Sequence, residues 1–179
     1  MKRTLVGTLW VTLALLAEAR VSQAQQEQAS RKWGVGAGAG LTVPTGAYAS
    51  TDHPGPNALV YFFYSALPAV GLGLDVGATW TSHKDGGNTE LYEVLAGATW
   101  RPGSPARSPR PFLLGNIGVV AVDSNSPDKG RLAFGGGGGI SVGRGTARFF
   151  LLARFLEVEA SGGALNFVPI TVGFTTLAP

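Results

Sequence analysis

Residues 33–43 read WGVGAGAGLTV, and this stretch excludes a helix. Its odd positions are Trp33, Val35, Ala37, Ala39, Leu41 and Val43, and its even positions are Gly34, Gly36, Gly38, Gly40 and Thr42. A strand separates the two sets onto opposite faces, whereas 3.6-residue spacing would mix them. The same split recurs downstream. Val70, Leu72, Leu74, Val76, Ala78 and Trp80 alternate with Gly71, Gly73, Asp75, Gly77 and Thr79. Glycine is 27 of 179 residues, too many for a helical chain, and the apolar content is too high for a disordered one.

Eight such segments can be marked, over 32–43, 57–66, 70–80, 89–101, 111–122, 131–143, 147–157 and 167–176. The second is apolar on both faces, so its orientation stays open. The connections at 44–56, 82–88, 123–130 and 159–166 are polar and carry glycine or proline. Leu67-Pro68 and Arg144-Gly145 are tight turns, and 102–110 is a longer link where a tight turn is expected. Strands of about ten residues, with long loops at one end and mostly short turns at the other, give an all-β fold, an eight-stranded antiparallel up-and-down barrel.

Alternation alone leaves open which face is outside. A soluble barrel of lipocalin type would bury the large apolar rows around a ligand, and a membrane barrel would turn them to lipid. The opposite face is mostly Gly, Thr and Ser, whereas a surface washed by water is normally charged. The mid-strand charges Asp75, Glu93, Arg148 and Arg154 all share that face, which favours a lumen ion-pair network, because buried charges must pair. Trp33, Trp100 and Phe174 fall at one end of the apolar face and Trp80 at the other, as two interfacial girdles would. The reading is therefore a transmembrane β-barrel with a side-chain-filled lumen.

Residues 1–24 have the layout of a cleaved signal peptide: Lys2 and Arg3, an apolar run over 5–17, and Ser22-Gln23-Ala24 before a polar segment at 25–31. The domain would then span 32–176, with a tail at 177–179. Of the 14 basic and 11 acidic residues, Lys2, Arg3, Arg20 and Glu18 lie in the leader, leaving 11 against 10. That balance removes the footing for nucleic-acid binding. The absence of cysteine excludes disulfides, a thiol nucleophile and a lipoprotein anchor.

These residues carry a resemblance. WGVGAGAGL at 33–41, FGGGGGISV at 134–142, the Arg154-bearing seventh segment and NFVPITVGF at 166–174 resemble the small eight-stranded outer-membrane barrels of OmpA/OmpX type. The resemblance implies the outer membrane as location, its lipid as surroundings and the barrel assembly machinery as a partner. Such barrels usually end in an aromatic residue that this machinery reads. Here the chain ends FTTLAP, five residues past Phe174.

Few residues suggest chemistry. The glycine run 135–139 lacks the following Lys-Ser or Lys-Thr of a phosphate loop and reads as a strand approached closely by its neighbours. His53 and His83, near Asp52 and Asp85, lie in loops of the same end. Ser82-His83 is the one adjacent pair that a lipid A hydrolase or acyltransferase could use. Arg101, Arg107 and Arg110 sit in the proline-rich link and read as solvated. The expectation is a structural or surface-interaction protein acting through its four long loops, with no enzyme activity, cofactor or metal. A narrow solute channel, a lipid-modifying enzyme and a soluble binder of apolar ligands stand as alternatives.

Overall fold

The computed structural model describes residues 33–104, 107–123, 130–159 and 163–177. The leader, the segment at 25–31, the last two residues and positions 124–129 of the third long loop lie outside the described residues. Among the described residues nine strands form one antiparallel sheet: β1 (Trp33–Thr45), β2 (Asp52–His53), β3 (Gly55–Leu67), β4 (Val70–His83), β5 (Asn88–Trp100), β6 (Arg110–Asp123), β7 (Arg131–Val142), β8 (Ala147–Val158) and β9 (Leu165–Leu177). Leu177, assigned to a tail on sequence, is the last residue of β9. β2 is only two residues, held on β4 within the first loop. The other eight strands close on themselves, because β1 pairs with β9 as well as with β3 and β4 pairs with β5. Closure removes every sheet edge, as a bilayer without competing water requires.

The period-two pattern becomes inside and outside. Val94, Ile117, Val119 and Val172 are each at least half exposed, while Leu95, Val120, Val158 and Phe167 are fully buried in the lumen. Trp33, Trp100, Phe149 and Phe174 stand outward near the end that carries the chain termini and the short turns, hereafter the turn end. Trp80 and Tyr92 stand outward near the opposite, loop end. The structure also settles β3, the segment apolar on both faces. The pairing of Trp33 with Tyr64 turns Tyr64, Phe62 and Val60 outward and sends Leu59, Tyr61 and Phe63 inward.

The inner row is therefore not simply small. Beside glycine it holds two apolar clusters, one at each end of the lumen. Glycine accommodates them. A Cβ at Gly34 would meet the Phe63 ring, one at Gly36 the Tyr61 ring, and one at Gly173 the Phe150 ring. Each ring lies over the bare backbone of the glycine paired with it on the neighbouring strand. In the 135–139 run, a Cβ at Gly137 would strike the Ala153 carbonyl and the Arg154 Cα, whereas one at outward-facing Gly136 would meet ordinary contact distances. The run is a strand in close contact with its neighbour.

Two connections differ from the sequence reading. The second long loop is a four-residue link between β4 and β5. It is closed by His83 N–H to Gly87 O (3.0 Å), and Gly86 and Gly87 have positive φ. The first loop, read only as a polar connection, holds a 3₁₀ turn over Gly46–Ser50 followed by β2.

Candidate functional site in the barrel lumen

The lumen is built in layers, each set by strand register. At the loop end, Asp52 is wholly buried and gathers three donors. Thr51 donates to it at 2.9 Å and Thr81 at 3.2 Å, and His83 Nδ1 lies 3.0 Å away. His83 Nε2 lies 2.9 Å from the Thr89 hydroxyl, and Tyr48 shares a hydrogen bond with Thr81 (3.1 Å). Burial pushes the Tyr48 phenol above its ordinary value, so it remains a neutral hydroxyl. The set fastens the first loop onto β4 and β5. An Asp–His–Thr chain has the connectivity of a nucleophilic triad. However, Thr89 is only 2 % exposed, which bars its hydroxyl from a lipid substrate. Ser82, the sequence candidate, is exposed, and the partners of the His83 ring nitrogens are Asp52 and Thr89. His53 and Asp85 are exposed. Among the described residues no three His, Asp or Glu side chains cluster to hold a metal.

Beneath this lock lies an apolar plug of Leu91, Leu95, Val120, Val122, Leu156 and Val158 with Phe167 and Tyr48, whose rings meet edge to face at 4.9 Å. Beside it, a hydrogen-bond chain links Thr171, Asn57, Thr42 and Thr79 across β9, β3, β1 and β4.

The next layer is charged. Arg154 on β8, 5 % exposed, donates to Glu93 on β5 and to Asp75 on β4 (3.5 Å). Asn116 on β6 donates to Asp75 at 3.1 Å. Register explains the meeting: Glu93 pairs with Gly77, two residues along β4 from Asp75 on the same face. Glycine at position 77 leaves room for this pair, because a Cβ there would meet the Glu93 carboxylate at 2.5 Å and displace it. Arg148 shares this face but pairs with Thr175, six residues toward the turn end, so it belongs to a different layer. Sequence periodicity placed it on the correct face, and the six residues between it and Arg154, about 20 Å of strand, set it apart from the carboxylates.

The turn half contains what sequence reasoning missed. A cavity of about 480 Å³ lies below the charged layer, so the lumen is filled only in its loop half. Tyr61, Phe63 and Phe150 line it; Tyr61 packs against Phe150 at 5.5 Å and Phe63 at 5.8 Å. Arg101 and Arg110, expected to be solvated, turn inward. Arg101 lies over the Phe63 ring at 5.1 Å. Arg110, 6 % exposed, donates to the carbonyls of Arg101 (2.8 Å) and Pro68 (3.0 Å) and so ties two turns together. A proline-rich link on the outside of a sequence plot gave no sign of this, because the argument for solvation rested on charge alone.

No protein-family model matches the chain, and no curated protein matches it in sequence. Its fold is similar to solved structures. With Neisserial surface protein A (NspA) it shares 13 % identity at a TM-score of 0.67, over 80 % of this chain and 96 % of that one. With the N-terminal β-barrel domain of Pseudomonas aeruginosa OprF it shares 17 % identity at 0.50, over 79 % and 96 %. At these identities the likeness is one of fold: the chain has the architecture of the eight-stranded outer-membrane barrels.

Proposed function

We propose that the protein resides in the outer membrane of a Gram-negative-type envelope, delivered by a cleaved leader, as a non-conducting barrel that acts at its outward surface. One observation carries this reading: the apolar row faces outward between two aromatic rims while the loop half of the lumen is packed shut. Lipid is the medium that such an outer face fits. The plug of Leu95, Val120, Val158 and Phe167, each 0 % exposed, occupies the loop half of the lumen, which supports a closed barrel over a channel. The first loop, fixed by Asp52, offers a preformed surface to a partner, and the third and fourth connections lie at the same end. The short β4–β5 link adds little to that surface.

The test is reconstitution. Purified protein in planar bilayers is expected to give no steady conductance, and Leu95→Gly with Phe167→Gly is expected to open one. Steady single-channel currents from the unaltered chain would overturn the proposal in favour of a pore.

A further inference from the structure

The open turn half of the lumen has the composition of a binding site. Its volume falls within the range of about 300–1,000 Å³ usual for small-molecule pockets. The walls are apolar, formed by Leu59, Tyr61, Phe63, Phe112, Phe150 and Leu152. Arg101, Arg110 and Arg148 line it toward the turn end, and the one carboxylate among the described lining residues, Asp75, lies at the far end and is already engaged by Asn116 and Arg154. Among the described residues the buried Arg110 Nε–H has no hydrogen-bond partner, a defect that an acid oxygen would relieve. The bias extends beyond the cavity. Among the described residues, the turn end carries Arg101, Arg107, Arg110, Arg144 and Arg148 and no Asp or Glu.

We infer that this cavity binds a single-chain anionic amphiphile, with its tail among the aromatic rings and its acid group at the arginine-lined mouth. Charge complementarity selects the anion, and the walls select the tail. Six residues of β6 separate Arg110 from Asn116, or about 20 Å of strand and about 15 Å along a tilted barrel axis. With carbon–carbon bonds near 1.5 Å, a chain of roughly ten to twelve carbons spans that depth. Two sources share this chemistry, a free fatty acid and a lysophospholipid with an anionic headgroup.

The experiment uses the purified full-length barrel in nanodiscs of zwitterionic lipid, with empty nanodiscs as reference. Displacement of a fluorescent undecanoate is followed with dodecanoate, lauroyl-lysophosphatidylglycerol and dodecyltrimethylammonium. Saturable displacement by dodecanoate, or by both acids, is expected, the pair showing whether the larger headgroup is accepted. The cation is expected to fail. Affinity should rise about fourfold per methylene from eight to twelve carbons and then level off. Thr99→Trp, which fills the cavity from β5, should abolish binding, with Gly73→Leu as a second filling variant. Arg101→Gln should weaken dodecanoate at least tenfold and leave dodecanol unchanged. No saturable displacement by either acid, equal displacement by the cation, or undiminished binding in folded filling variants would overturn the inference. The nanodiscs presuppose a lipid-inserted barrel, whereas displacement reads only the lumen, so a failure to bind leaves the outer-membrane proposal standing.

Discussion

Arg154→Met isolates the energetic role of the charged layer. The guanidinium is 5 % exposed and serves two carboxylates at once, Glu93, itself 7 % exposed, and Asp75. Methionine keeps most of the volume, so the change leaves packing and removes charge. It strands Glu93 in a lumen where water is scarce, and breaking a buried pair in this way costs about 3–5 kcal/mol. That is a large share of the roughly 5–15 kcal/mol by which a domain is stable. Asp75 keeps its bond from Asn116, so the cost falls mainly on Glu93. Adding Glu93→Gln should therefore restore most of the loss, bringing the double variant within about 2 kcal/mol of the parent, because a neutral amide no longer needs the cation. The assay is urea unfolding in lipid vesicles for the four members of the cycle. A cost below about 1 kcal/mol for Arg154→Met, or strictly additive losses, would refute the argument that the pair is buried and coupled.

Other positions give sharper contrasts. Gly136→Ala should be tolerated or slightly stabilising, whereas Gly137→Ala should block assembly, because its Cβ meets the backbone of β8; the fraction of heat-shifted protein reports both. Asp52→Ala removes the acceptor for Thr51 and Thr81 and the partner of His83. It should cost about 1–3 kcal/mol and expose residues 46–53 to protease in the otherwise intact barrel. Ile117→Lys, at an outward mid-strand position, should cost about 2–4 kcal/mol in vesicles, and a neutral result would argue against lipid at that face.

The strands were legible because alternation survives wherever the two faces differ in character. β1 and β4 set glycine against Val, Leu and Ala, so their faces follow directly from sequence, while their ends run on to Thr45 and His83 where the alternation fades. β3 offered no contrast: Leu59, Tyr61 and Phe63 are as apolar as Val60, Phe62 and Tyr64, and only pairing with β1 decides which set turns inward. Charge on the inner face was legible for the same reason, and so was the separation of Arg148 from Arg154, six residues or about 20 Å along one strand; which groups each one meets was not, because that depends on cross-strand register. The Asp52–His83 contact joins residues 31 apart through a two-residue strand that has no periodicity to read. The cavity was hidden because the glycines of β4 and the lone Gly97 of β5 leave space that no single strand reveals; it exists only once Gly73, Gly97 and Thr99 line one lumen with Phe112 and Phe150.

The chain has no cysteine, so single-cysteine spin labels can be placed without background. Labels at successive positions 112–119 along β6 would be scanned in vesicles for relaxation by oxygen, which concentrates in lipid, and by a water-soluble nickel chelate. A barrel with its apolar row turned to the bilayer predicts oxygen accessibility with a period of two, highest at the outward positions 113, 115, 117 and 119. The nickel chelate should be excluded at those same sites. Nickel accessibility at 113, 117 and 119 instead would mean that water bathes that face, and the transmembrane orientation would be wrong.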